Sequence, residues 1–100
     1  MSEDDAIMAR FVRDYLELLD HRVDSIQHHL ATGNFLTAHV ALLSLESTSV
    51  MVGATELAQV AGRMRVAVEQ GDRAAMPDLV TEMAAAAAQT RVQLGRPSAG

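Results

Sequence analysis

The chain predicts an all-α fold, an up-down-up-down antiparallel four-helix bundle. Three observations predict it. Apolar residues recur at intervals of three and four in four separate segments, the period of one helix face. Glycine-containing turns at Gly33, Gly53 and Gly71 divide those segments with short connections, which make consecutive helices antiparallel neighbours. The composition is 49% hydrophobic but only 3% aromatic, so the core must be built from Leu, Val, Met and Ala, as helical bundles are. One hundred residues suit one domain, with residues 1–94 forming the bundle and 95–100 a flexible tail.

The first helix opens at Ser2, whose hydroxyl can cap it, with Asp5 three residues on as in a loose capping box. Ile7, Phe11, Tyr15, Leu19, Val23, Ile26 and Leu30 form its apolar stripe. Gly33 is suited to a left-handed C-terminal cap. The second helix runs from about Asn34, its N-cap, to Val52. Phe35, Ala38, Leu42, Leu45, Ser49 and Val52 make its core seam. The third, from about Ala54 to Gln70, turns Leu57, Val60, Ala61, Met64, Ala67 and Val68 inward. The fourth begins near Pro77, after a turn begun by Asp72, because proline fits the first turn of a helix and not its interior. It carries Leu79, Val80, Met83, the run Ala84 to Ala88, Val92 and Leu94. Met8, Met51, Met64, Met76 and Met83 read as packing residues.

Composition excludes several functions. The absence of cysteine removes disulfides and thiolate metal sites and suits a reducing, cytoplasmic setting. Thirteen acidic against eight basic side chains give a net charge of −5, and no basic run interleaved with aromatics is present, so nucleic acid is not an expected partner. No apolar stretch reaches the ~20 residues that span a bilayer, and the acidic start Met1-Ser2-Glu3-Asp4-Asp5 is unlike a signal peptide; no membrane association is expected. No nucleophile–base arrangement or glycine-rich phosphate loop occurs, so no enzymatic reaction and no cofactor are expected. His21, Asp24 and His28 share a face of the first helix. Without a fourth ligand they read as a solvated face rather than a metal site, and His28 and His29 suit the helix C-terminal dipole.

The second helix is apolar on two sides. At about 100° per residue, Leu36, Val40, Leu43, Ser47 and Val50 gather roughly 150° from the core seam. A bundle needs one such face, so the second is either covered by more of the chain or by a sister molecule, or offered to a partner.

The chain resembles the histidine phosphotransfer (HPt) domain family from Phe11 to about Leu94. Gly33-Asn34-Phe35 is similar to the G-D-[WF] that opens the family's acceptor helix. Gly53-Ala54-Thr55-Glu56-Leu57 is similar to L-G-A-x-x-L, and Gln70-Gly71-Asp72 followed by Pro77 to the last interhelical turn. The family signature reads H-x-x-K-G, then small residues, then a hydrophobic residue and a second glycine, ten positions after the histidine. Counting back ten from Gly53 reaches Leu43, which places Glu46 at the lysine position and Ser47 at the first glycine. The resemblance therefore implies an HPt-like bundle without its phospho-acceptor. Leucine has no lone pair to attack an aspartyl phosphate, Glu46 reverses a charge that attracts phosphoryl, and Ser47 adds a side chain where the family keeps the surface bare.

The expectation that follows is a pseudo-phosphotransfer protein of two-component signalling, binding a response-regulator receiver domain or histidine kinase through Leu36, His39, Val40, Leu43, Glu46, Ser47 and Val50 without carrying phosphate. Two alternatives stand beside it. One is a homodimeric interaction module outside phosphorelays, built on the same stripe. The other is active phosphotransfer through His39, one turn before Leu43, although a register shifted to His39 would put Leu42 at the lysine position, Leu43 at the glycine position, and misplace Gly53.

Overall fold

The computed structural model describes residues 3–95, and among them the chain is all-helical, without strands. The helices are α1 (Glu3–Ala31), α2 (Phe35–Met51), α3 (Thr55–Gln70) and α4 (Met76–Leu94). They make a four-helix bundle around one core. α1 packs on α2 and α4, and α3 on the same two, so every helix meets two others around the bundle. None of the described helices is long and apolar enough to cross a membrane. The expected Ser2 cap and the tail from residue 96 onward lie outside the described residues, whereas Gly95 closes α4 through its N–H to the Arg91 carbonyl.

Both ends of α2 are set by glycine. Gly33 and Gly53 have φ of 76° and 79°, a backbone that side-chain-bearing residues rarely adopt. At each the chain leaves the helix through a pair of reversed bonds. Gly33 N–H donates to Leu30 O and Asn34 N–H to His29 O; Gly53 N–H donates to Val50 O and Ala54 N–H to Ser49 O. This is the Schellman motif, repeated at the end of α3 by Gly71 and Asp72. Asn34 occupies the N-cap position of α2, yet its side chain makes no capping bond. It is the expectation of an Asn34 side-chain cap that needs correcting: the residue contributes its backbone N–H to closing α1 instead. Asp72 does act as the turn requires, its Oδ1 accepting from Ala75 N–H at 3.3 Å.

The core follows the expected seams. Leu19, Ile26, Leu42, Leu45, Leu57, Met64 and Met83 are fully buried, with Phe11, Leu30, Phe35, Val68, Val80 and Leu94 half-buried at its margins or on the surrounding surface. Four positions depart from expectation. Ile7 and Met8 are exposed, not packed, because the 29 residues of α1 extend about 44 Å at 1.5 Å per residue, beyond its shorter neighbours. Residues 3–10 are exposed throughout, and the molecule measures 47 × 20 × 19 Å. Met51 is exposed in the last turn of α2, and Val92 near the end of α4; both lie on the outer side of helices whose inner side is already filled.

Candidate functional site

α2 sorts its side chains into four faces, and the sorting follows from 3.6 residues per turn. Inward point Ala38, Leu42, Leu45 and Ser49, all fully buried. The one polar member is satisfied: Ser49 Oγ and Tyr15 Oη share a buried hydrogen bond of 2.7 Å. Burial raises the Tyr15 phenol above its ordinary range, against the opposing pull of Ser49 and the nearby Arg22 charge.

Toward α3, α2 presents a string of ionic side chains. His39 Nε2 donates to Glu69 Oε1 at 2.9 Å, and Arg65 Nη1 donates to the same oxygen at 3.1 Å. Arg65 also grips Glu46 with two donors, Nε to Oε1 at 3.0 Å and Nη2 to Oε2 at 3.4 Å. The Glu69 carboxyl is held below its usual range by the His39 hydrogen bond and then by Arg65. Glu46 lies against Gly62, where any Cβ would collide with its carboxylate. Phe35 ends the row with the Arg73 guanidinium 5.1 Å above its ring.

Toward α1 the contacts are polar and lighter: Arg22 Nη1 donates to Thr48 Oγ1 at 3.3 Å and to Ser44 Oγ at 3.5 Å. The fourth face points away from the bundle. Leu36, Val40, Leu43 and Val50 are 80%, 61%, 47% and 64% exposed, Ser47 is exposed between them, and Met51 extends the strip. No residue of this face carries a charge, because the two ionic side chains of α2, His39 and Glu46, are turned to α3. Neither the N-terminal turn of α1 nor any other described segment covers it.

The expected site residues therefore separate into two groups. Leu36, Val40, Leu43, Ser47 and Val50 form one continuous outer strip, while His39 and Glu46 border it and are engaged with α3. Glu46 does not project a free negative charge, since Arg65 neutralises it. The tip nitrogen of His39, Nε2, is occupied by Glu69. Sequence reasoning did not find Arg65, Glu69 or Gly62, and it assigned Met51 to packing; 19 and 30 residues separate Glu46 from Arg65 and His39 from Glu69, so no local pattern links them.

Among the described residues no three His, Cys, Asp or Glu side chains are grouped to hold a metal ion, and His21, Asp24 and His28 do not converge. An open groove of about 750 Å³ lies between α3 and α4. A second, about 590 Å³, lies where Leu30, Phe35, Met76 and Val80 meet beneath Arg73. Neither contains a nucleophile beside a base. The outer face of α2 can bind an apolar surface, and its residues Leu36, Val40, Leu43, Ser47 and Val50 include no imidazole. No protein-family model, no curated protein and no solved structure matches this chain.

Proposed function

We propose that this chain is an HPt-like bundle, its helices running alternately up and down, that docks a response-regulator receiver domain or histidine kinase on the outer face of α2 without carrying phosphate. The observation that carries this reading is Leu43. Its side chain is 47% exposed in the middle of an uncovered apolar strip, at the position where the resemblance puts the acceptor imidazole. Connections of only a few residues, 32–34, 52–54 and 71–75, favour the alternating arrangement. Pairing of Glu46 with Arg65 removes the repulsion that a bare carboxylate would exert on an acidic docking partner. A receiver held here keeps its aspartyl phosphate, because the acceptor position is held by Leu43, whose side chain has no lone pair to attack phosphorus. Such a protein sequesters its partner instead of discharging it.

The test uses phosphorylated receiver domains. The wild type should bind one of them and acquire no acid-labile phosphate, and Leu43→Asp should lose the binding while remaining helical by circular dichroism. Rebuilding the signature with Leu43→His, Glu46→Lys and Ser47→Gly together should create an acid-labile phosphoryl acceptor. Label on the wild type that vanishes in His39→Ala would overturn the reading in favour of an active relay, and failure of every receiver and kinase to bind would overturn it altogether.

A further inference from the structure

The outer strip of α2 repeats every three and four residues, as Leu36, Val40, Leu43, Ser47 and Val50, with Leu43 at its midpoint. A strict seam of this period suits side-by-side packing of two helices. It is also nearly symmetric about its centre. Reversed end for end, the strip superposes Leu36 on Val50, Val40 beside Ser47, and Leu43 on itself. From these features we infer that a second copy of this chain docks α2 against α2, antiparallel, about a two-fold axis through Leu43. Closed two-fold pairs require a surface that complements itself.

Two further observations favour a second copy as occupant. The molecule carries a net charge of −5, so copies repel one another wherever their charged faces meet, yet the outer face of α2 has no charged side chain and its neighbouring carboxylates, Glu46 and Glu69, are paired with Arg65. An uncharged face is where like-charged copies approach at least cost, whereas it offers nothing to steer a partner of opposite sign. The area is also sufficient. Leu36, Val40, Leu43, Val50 and Met51 together expose on the order of 500 Å² of side chain, and the adjoining Thr37, Ser44 and Ser47 bring the footprint toward the roughly 800 Å² per partner of a standard interface. Without an aromatic or arginine anchor at its centre, the pair should associate in the micromolar range.

This inference does not depend on the docking reading, although the two occupants exclude each other. Sedimentation of the full chain over a concentration series should show the mass rising from 10.7 kDa toward twice that value, and Leu43→Asp, which sets two carboxylates face to face, should hold the monomer mass throughout. Because the chain has no cysteine, single cysteines report the arrangement. Under mild oxidation Leu43→Cys should cross-link to itself at least tenfold faster than Thr81→Cys on α4, and Leu36→Cys should cross-link to Val50→Cys faster than to itself. A monomer at every concentration up to millimolar overturns the inference, as does cross-linking of Leu43→Cys no faster than the α4 control. Self-linking of Leu36→Cys in preference to the mixed pair overturns the antiparallel arrangement. A monomer whose strip is protected only by an added receiver domain overturns the dimer and leaves the docking reading standing.

Discussion

Tyr15 and Ser49 are 34 residues apart and form a shared polar contact of the buried core. Removing one hydroxyl leaves the other without a partner in a dry site, so Tyr15→Phe and Ser49→Ala should each cost about 1–2 kcal/mol, with the double variant losing less than the sum of the two, as read by urea denaturation. The phenol also makes stability depend on alkaline pH. Burial raises its pKa above the ordinary 10.0, so the folded state favours the neutral form. Its contribution is complete below pH 10.0 and is lost as pH rises through the unfolded and then the folded value. Stability of the wild type should therefore fall more steeply above pH 10 than that of Tyr15→Phe. As the chain's one tyrosine, Tyr15 reports its own ionisation through phenolate absorbance. Its place in the core stripe was legible in the sequence. Its bond to Ser49 was not, since the pairing depends on how α1 and α2 are rotated against each other.

At the scale of one element, α2 sets two adjacent leucines in opposite environments. Leu42 is fully buried and Leu43 is 47% exposed. Leu42→Ala should cost about 2–5 kcal/mol through lost contacts and the cavity left behind, whereas Leu43→Ala should stay within about 0.5 kcal/mol; comparing the two denaturation midpoints checks both. This contrast was readable beforehand, because a period of 3.6 assigns each residue of a helix to a face once one seam is known. The same period could not reveal what borders the strip. Glu46 looked like a bare carboxylate at a family lysine position, and it is the α3 residues Arg65 and Gly62 that receive it. Met51 follows the same logic: its side chain is apolar, but it falls outside the filled seam.

Across the whole molecule, α1 outreaches the other helices. Ile7 continues the stripe of Phe11 and Tyr15 in perfect register, and it is exposed because no neighbour extends so far; periodicity shows which side of a helix is apolar, not where its partners stop. Deleting residues 1–9 should leave unfolding free energy within ~0.5 kcal/mol, and amides 4–10 should exchange hydrogen faster than those of the buried stripe from Tyr15 to Ile26. The number of helices and their seams were legible because they are local, whereas the overhang is a property of relative lengths. The division of α2 carries a different consequence. Its inner seam and its outer strip share no residue, so a substitution at Leu36, Val40, Leu43 or Val50 changes the outer surface without touching what keeps the molecule folded. The outer surface of this bundle is thus free to be rewritten residue by residue while the fold beneath it stays the same.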